Sequence, residues 1–122
     1  KKVDGSVLWL LESNNKTCKN LKDHANKRGI DPGRLIFADR LPIEKHLARH
    51  KAADLFIDTF PYNGGTTTSD ALRMGLPVLT CKGNSFASRL ASSILNSIDL
   101  QELISVNFLL NFHKRLFVVR HN

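Results

Sequence analysis

Four short apolar runs, Ser6 to Leu11, Leu35 to Ala38, Leu55 to Thr59 and Pro77 to Thr80, alternate along this chain with segments of helical character. Two parallel strands can be joined only by a crossover of a dozen or more residues, usually a helix, and the spacing of the runs leaves room for one each time. The alternation predicts an α/β fold: a Rossmann-like parallel sheet with flanking helices. The runs are rich in apolar residues throughout, so all four read as strands buried on both faces.

The segments between them carry helical periodicity. Cys18, Leu21 and Ala25 recur at three- and four-residue steps while Lys and Asp fill the other faces, so Thr17 to Arg28 reads as an amphipathic helix capped by Gly29. Asp31-Pro32-Gly33 turns the chain into the second run. Pro42 suits the first turn of a second helix reaching about Ala53, with Ile43 and Leu47 one turn apart. Thr67 to Met74 forms a third, stopped by Gly75 and Pro77. Asn84 or Ser85 caps a fourth, with Phe86, Ala87, Leu90, Ala91 and Ile94 as its inward stripe. After Ile104 the pattern weakens, because Phe108 to Leu110 and Leu116 to Val119 are separated by the basic cluster His113, Lys114 and Arg115. The expected division is therefore one domain over residues 1–104 and a divergent tail over residues 105–122.

Composition narrows the function classes. With 42% apolar and 24% charged residues, the chain has the balance of a folded domain and not of a disordered tail. No apolar run approaches the roughly 18 to 20 residues that a bilayer requires, so no membrane is expected. Cys18 and Cys81 are too few for a disulfide framework and lack metal-ligand spacing, which points to a reducing compartment and a cytoplasmic address. The net charge of +7 could attract phosphate or nucleic acid. Lys16, Lys19, Lys22, Lys27 and Arg28, however, spread around a solvated helix face, and no RNA-binding aromatic signature or zinc-finger spacing accompanies them. Nucleic-acid binding ranks last. The start at Lys1, directly ahead of a strand, suggests a piece of something longer.

The most informative stretch runs from Asp58 through Asn63, Gly64, Gly65, Thr66, Thr67 and Thr68 to Asp70, from a strand end through glycines into a helix start. Glycines allow the backbone close to a ligand, and a helix N-terminus offers free N–H groups to an anion. A phosphate suits that arrangement. Asp70, one turn further on, could accept hydrogen bonds from sugar hydroxyls, so the pair suggests a nucleotide. An ordinary strand-to-helix loop with threonine capping remains the competing reading. His46 and His50, four residues apart, could share a helix face as metal ligands, but no third ligand is visible and two partly exposed histidines is the simpler account. His46 could separately stack on a base near the carboxyl end of the sheet. Cys81 reads as a packed small apolar group. Arg73 and Lys82 could neutralise a diphosphate or be solvated surface cations.

Several ordered blocks resemble the catalytic region of O-GlcNAc transferases and Spindly-like proteins, glycosyltransferase family 41. They are Ser6 to Leu11, Arg34 to Phe37, Ala53 to Thr59, Asn63 to Leu72, Gly75 to Thr80 and Ala87 to Ser93, and the resemblance covers nearly everything from Val3 to Ile104. It implies a GT-B glycosyltransferase, in which two Rossmann-like domains close over a nucleotide sugar such as UDP-GlcNAc, and it places this chain in the carboxyl-terminal, nucleotide-binding half. The sugar would pass to Ser or Thr hydroxyls of a protein acceptor. By this resemblance the backbone at Leu41 meets the base, His46 packs against it, Thr66 and Thr67 with the neighbouring Gly65 meet the diphosphate, and Asp70 holds the ribose hydroxyls. No metal cofactor is implied, because the helix end supplies the charge stabilisation that a cation gives elsewhere.

Two positions depart from the pattern: many animal members have a lysine where this chain has Ile43, and a histidine where it has Gly65. In the family, the first strand of this domain, the lysine that neutralises the diphosphate, the acceptor-facing domain and tetratricopeptide repeats all lie upstream of the residue matched by Lys1. No catalytic residue is therefore expected in this chain. In a sheet of order 3-2-1-4-5 that first strand is central, so the first and third runs here are expected either to pair directly or to leave exposed edges. Two alternatives stay open, a GDP-fucose-using O-fucosyltransferase fragment and a noncatalytic Rossmann- or flavodoxin-like interaction module.

Overall fold

Parallel pairing dominates, in two small sheets and not one. The computed structural model describes residues 4–106 together with the backbone of Val119 and Arg120. Strand β1 (Ser6–Leu11) pairs in parallel with β2 (Leu35–Ala38), placing Leu8 beside Leu35 and Leu11 beside Ala38. Strand β3 (Phe56–Ile57) pairs in parallel with β4 (Val78–Cys81), which pairs in parallel with β5 (Ile104–Ser105). Strand β6 (Val119–Arg120) lies antiparallel to β1 at Ser6 and Val7, giving the orders β2-β1-β6 and β3-β4-β5. The α/β expectation holds. Strands β1 and β3 do not hydrogen-bond to each other, so of the two expected outcomes the structure takes the one that leaves edges open. The tail calls at Phe108 to Leu110 and His113 to Arg115 lie outside the described residues, as does Leu116 to Val119 except for Val119 itself.

Helix α1 (Asn15–Lys27) starts two residues earlier than the periodicity suggests, because Asn14 caps it by accepting the Thr17 amide at 2.8 Å. Its end is closed by the Ile30 amide on the Ala25 carbonyl and the Gly29 amide on the Asn26 carbonyl. Helix α2 (Ile43–Arg49) follows Pro42 and tightens into a 3-10 turn at His50–Ala52. Helix α3 (Thr66–Arg73) ends at Gly75, whose φ of 78° is the left-handed conformation that closes a helix at little cost only for glycine.

Helix α4 (Leu90–Asn96) is shorter than expected. A 3-10 turn at Ala87–Arg89 precedes it, so the 3.6-residue stripe does not run back to Phe86, which is 77% exposed. The buried face is instead Ser88, Ala91, Ser92 and Leu95.

The core sits with the second sheet. Ala71, Leu76 and Val78 are buried together, with Ala53, Phe56 and Leu72 packed against them, and Ala91 and Leu95 are fully buried nearby in the chain. Burying a Val or Leu side chain stabilises by about 1.5–3 kcal/mol, so Val78 and Leu95 anchor this half. The expectation that all four runs are buried on both faces is corrected here: it holds for β4 alone. Leu8, Trp9 and Leu11 of β1, Ile36 of β2 and Ile57 of β3 are exposed. The faces of β1 and β2 stay open because neither α1 nor α2, the helices next to them in the chain, carries a buried residue.

Candidate functional site

The strand-to-helix loop between β3 and α3 is organised by a buried carboxylate. The Asp58 amide continues the β3–β4 ladder by donating to the Leu79 carbonyl at 2.9 Å. That fixes its side chain beneath the loop. Oδ1 accepts from the Thr59 amide at 2.9 Å and from the Gly64 amide at 2.7 Å, while Oδ2 accepts from the Thr80 hydroxyl at 2.7 Å. Thr59 donates its hydroxyl to the Tyr62 carbonyl, and the fully buried Asn63 donates Nδ2 to the Thr59 carbonyl at 2.9 Å. The Asn63 amide donates to the Ala87 carbonyl at 2.9 Å, tying the loop to the turn before α4. The buried Asn63 Oδ1 has no hydrogen-bond partner among the described residues.

Gly64 is required by close packing. A Cβ there would stand 2.2 Å from Thr67 Oγ1 and 3.2 Å from Thr68 Oγ1. Gly65 differs: a Cβ would meet nothing within 4 Å, and its φ of −96° is open to any residue. Gly64 is thus held by the chain's own packing, whereas nothing in the chain crowds Gly65. Gly65 stands at the N-cap of α3 with no side-chain cap, so the first amides of the helix lack an intrahelical acceptor. Thr66 and Thr67 are exposed on that first turn, Thr68 is buried with its hydroxyl on the Gly64 carbonyl at 2.7 Å, and Asp70 is half-buried one turn on. Oriented amides at the positive end of a helix form an anion site.

Helix α2 carries the other candidate residue, His46. His46 Nδ1 lies 2.7 Å from Arg49 Nη2, and because a guanidinium can only donate, Nδ1 accepts and the neutral ring carries its proton on Nε2. Arg49 Nη1 also donates to the Asp39 carbonyl at 2.8 Å, tying the Leu41-bearing loop after β2 to the helix. His50 Nδ1 donates to the His46 carbonyl at 2.9 Å, and the two rings meet edge-on with centroids 5.0 Å apart. Burial lowers the His46 pKa below the ordinary histidine value, the Arg49 and His50 charges lower it further, and the Asp70 carboxylate pulls the other way. Leu41 and Ile43, flanking the start of α2, are 42% and 56% exposed.

Gly65, Thr66, Thr67 and Asp70 therefore share one loop and helix start, while His46 stands on α2. Arg73 is not part of this group, since it lies in the last turn of α3, about 11 Å along the axis from Thr66. Lys82 is exposed just after β4. Cys81 is buried and burial pushes its thiol pKa up, as befits a packed apolar group. Among the described residues no group of three or more His, Cys, Asp or Glu could hold a metal ion, and no helix is long and apolar enough to cross a membrane. Sequence reasoning did not assign roles to Asp58, Thr80 or Arg49. The available signal was polarity out of place, in an Asp at one strand end and a Thr in the next apolar run.

Comparison with known proteins bears on the family and the fold. The family model described as Glycosyl transferase family 41 matches residues 1–111, continuing past Ile104. The UDP-N-acetylglucosamine-peptide N-acetylglucosaminyltransferase of Caenorhabditis elegans is 36% identical over 103 residues, which is 84% of this chain and 9% of the relative. The probable enzyme of the same name, SEC, of Arabidopsis thaliana is 31% identical over 115 residues, 94% of this chain and 12% of the relative. A solved mutant of the Thermobaculum terrenum O-GlcNAc transferase superposes with a TM-score of 0.80 at 36% identity, covering 83% of this chain and 20% of that one. The chain thus spans about a tenth of the length of these curated relatives. With a family match over almost its whole length and the same α/β fold as a solved member, this chain belongs to glycosyl transferase family 41.

Proposed function

We propose that this chain forms the nucleotide-sugar-binding part of a protein O-glycosyltransferase whose donor is of the UDP-GlcNAc type and whose acceptors are Ser and Thr hydroxyls. The observation that carries the reading is the uncapped start of α3 above the braced Gly64 turn, with Asp70 one turn on. The diphosphate lies on the amides at Gly65, Thr66 and Thr67, where the helix dipole favours the charge that builds up as UDP leaves. The Asp70 carboxylate accepts the ribose hydroxyls, and the neutral His46 ring packs on the base beside the Leu41 backbone. No cation is needed in this scheme. The acceptor-facing domain and tetratricopeptide region of a longer protein would complete the active site, in the cytoplasm, with residues 1–104 as the nucleotide half and residues 105–122 as a divergent tail.

Titration of the isotopically labelled chain with UDP tests this directly, with shifts expected at Leu41, His46 and Thr66 to Asp70. Asp70→Ala should weaken UDP roughly ten- to a hundredfold, the worth of charge-assisted hydrogen bonds. Preference for UDP over GDP separates this donor from GDP-fucose. The exposed Ile43 favours a second reading, a noncatalytic interaction module, because it places an apolar side chain where many animal members have a lysine. A folded Asp70→Ala variant with unchanged UDP affinity would select that module.

A further inference from the structure

We propose that Asp58 is a positioning residue for the anion-binding loop, one that touches no ligand but fixes the direction in which the Gly65, Thr66 and Thr67 amides face. The inference rests on the nucleotide reading above. Its starting point is an apparent contradiction: a carboxylate is buried close to a site that favours anions, where its charge opposes binding. A buried carboxylate is costly unless fully hydrogen-bonded, and here both oxygens are spent on three protein donors, the amides of Thr59 and Gly64 and the hydroxyl of Thr80. Orientation accounts for its presence.

The peptide geometry shows how. The Gly64 N–H is drawn inward onto Asp58, and the Gly64 carbonyl is turned onto the Thr68 hydroxyl. In a planar trans peptide the carbonyl and the following N–H point in opposite directions, so fixing the Gly64 carbonyl aims the Gly65 N–H away from Thr68. Both peptide planes at residue 64 are therefore held, and the amides that follow are aimed before any ligand arrives. Pre-organised donors stabilise a developing anion without reorganisation. Thr80 holds the clamp from β4 and thereby ties the loop's direction to the sheet. An amide side chain can reproduce most of this, since Asn offers one oxygen to the two amides while the Thr80 hydroxyl reverses to accept. Alanine can reproduce none of it.

The test compares UDP with uridine, which lacks the diphosphate, on the unaltered chain and on Asp58→Ala, Asp58→Asn and Thr80→Val. If Asp58 positions the loop, Asp58→Ala weakens UDP by about tenfold while uridine moves less than about twofold, and Asp58→Asn restores UDP to within about threefold. Thr80→Val, which keeps the side-chain shape, lowers the UDP-to-uridine ratio in the same direction and decides the matter if Asp58→Ala does not fold. Equal weakening of UDP and uridine, or no change in either, overturns the proposal and leaves the nucleotide site standing. An unaltered chain that binds neither ligand overturns the nucleotide reading and this inference with it.

Discussion

Gly64 and Gly65 are neighbours of identical chemistry, yet a methyl group added to each would meet different surroundings. At Gly64 it would collide with the Thr67 and Thr68 hydroxyls, whereas at Gly65 it would enter open space. Gly64→Ala should accordingly cost about 1–3 kcal/mol, as overpacking does, and Gly65→Ala should stay within about 0.5 kcal/mol, both read from denaturant midpoints. Gly65→His should be tolerated as well, which fits the histidine that the family resemblance places there. At this scale the sequence was legible where polar residues follow a glycine pair into a helix, as with Thr66, Thr67 and Asp70. It was not legible at Asp58 and Thr80, because their partnership spans two strands and depends on the register that puts the Asp58 amide on the Leu79 carbonyl. Nor could it separate the two glycines, since the obstruction comes from side chains one turn ahead.

Helix α2 ties together what flanks it: Arg49 holds the Asp39 carbonyl and the His46 ring, and His50 closes on the His46 carbonyl. The His46 pKa is lowered by burial, then by Arg49 and His50, with Asp70 opposing. A histidine with a lowered folded pKa takes up its proton later than in the unfolded chain, whose value is about 6.5. Above that pH the group is neutral in both states and contributes nothing to the pH dependence. As pH falls from about 6.5 toward the folded value, the unfolded chain binds the proton first and stability is lost. The ring-proton titration of His46 followed by NMR should therefore have its midpoint below that of a free histidine, and Arg49→Gln should raise it. A midpoint unmoved by that change would show that Arg49 does not act on the ring. Most element positions were legible from periodicity, and α1 and α3 lie within two residues of expectation. Helix α4 was misread at Phe86, because periodicity cannot report that the first turn is wound as a 3-10 segment.

In the whole molecule the two sheets are unequally buried. The β3-β4-β5 half carries Ala71, Leu76, Val78 and Leu95 in its interior, whereas the β2-β1-β6 half exposes Leu8, Trp9, Leu11 and Ile36. Exposed apolar strands with an incompletely paired edge are templates for further pairing. The chain should associate with itself as its concentration rises, and Leu11→Lys should weaken that association in sedimentation velocity. A monodisperse monomer with a cooperative, high-temperature melt would contradict this. Burial on both faces of β1 could not be read correctly from its apolar run, since burial depends on a neighbour that the run itself does not encode. The short crossovers have one more consequence, for the order of folding. Leu8 finds Leu35 across one helical connection and Phe56 finds Val78 across another, so each parallel pair closes a loop of modest entropy without waiting for the other. Separate pairs of this kind behave as separate cooperative units in native-state hydrogen exchange, and the better buried one, around β4, would be the last to open.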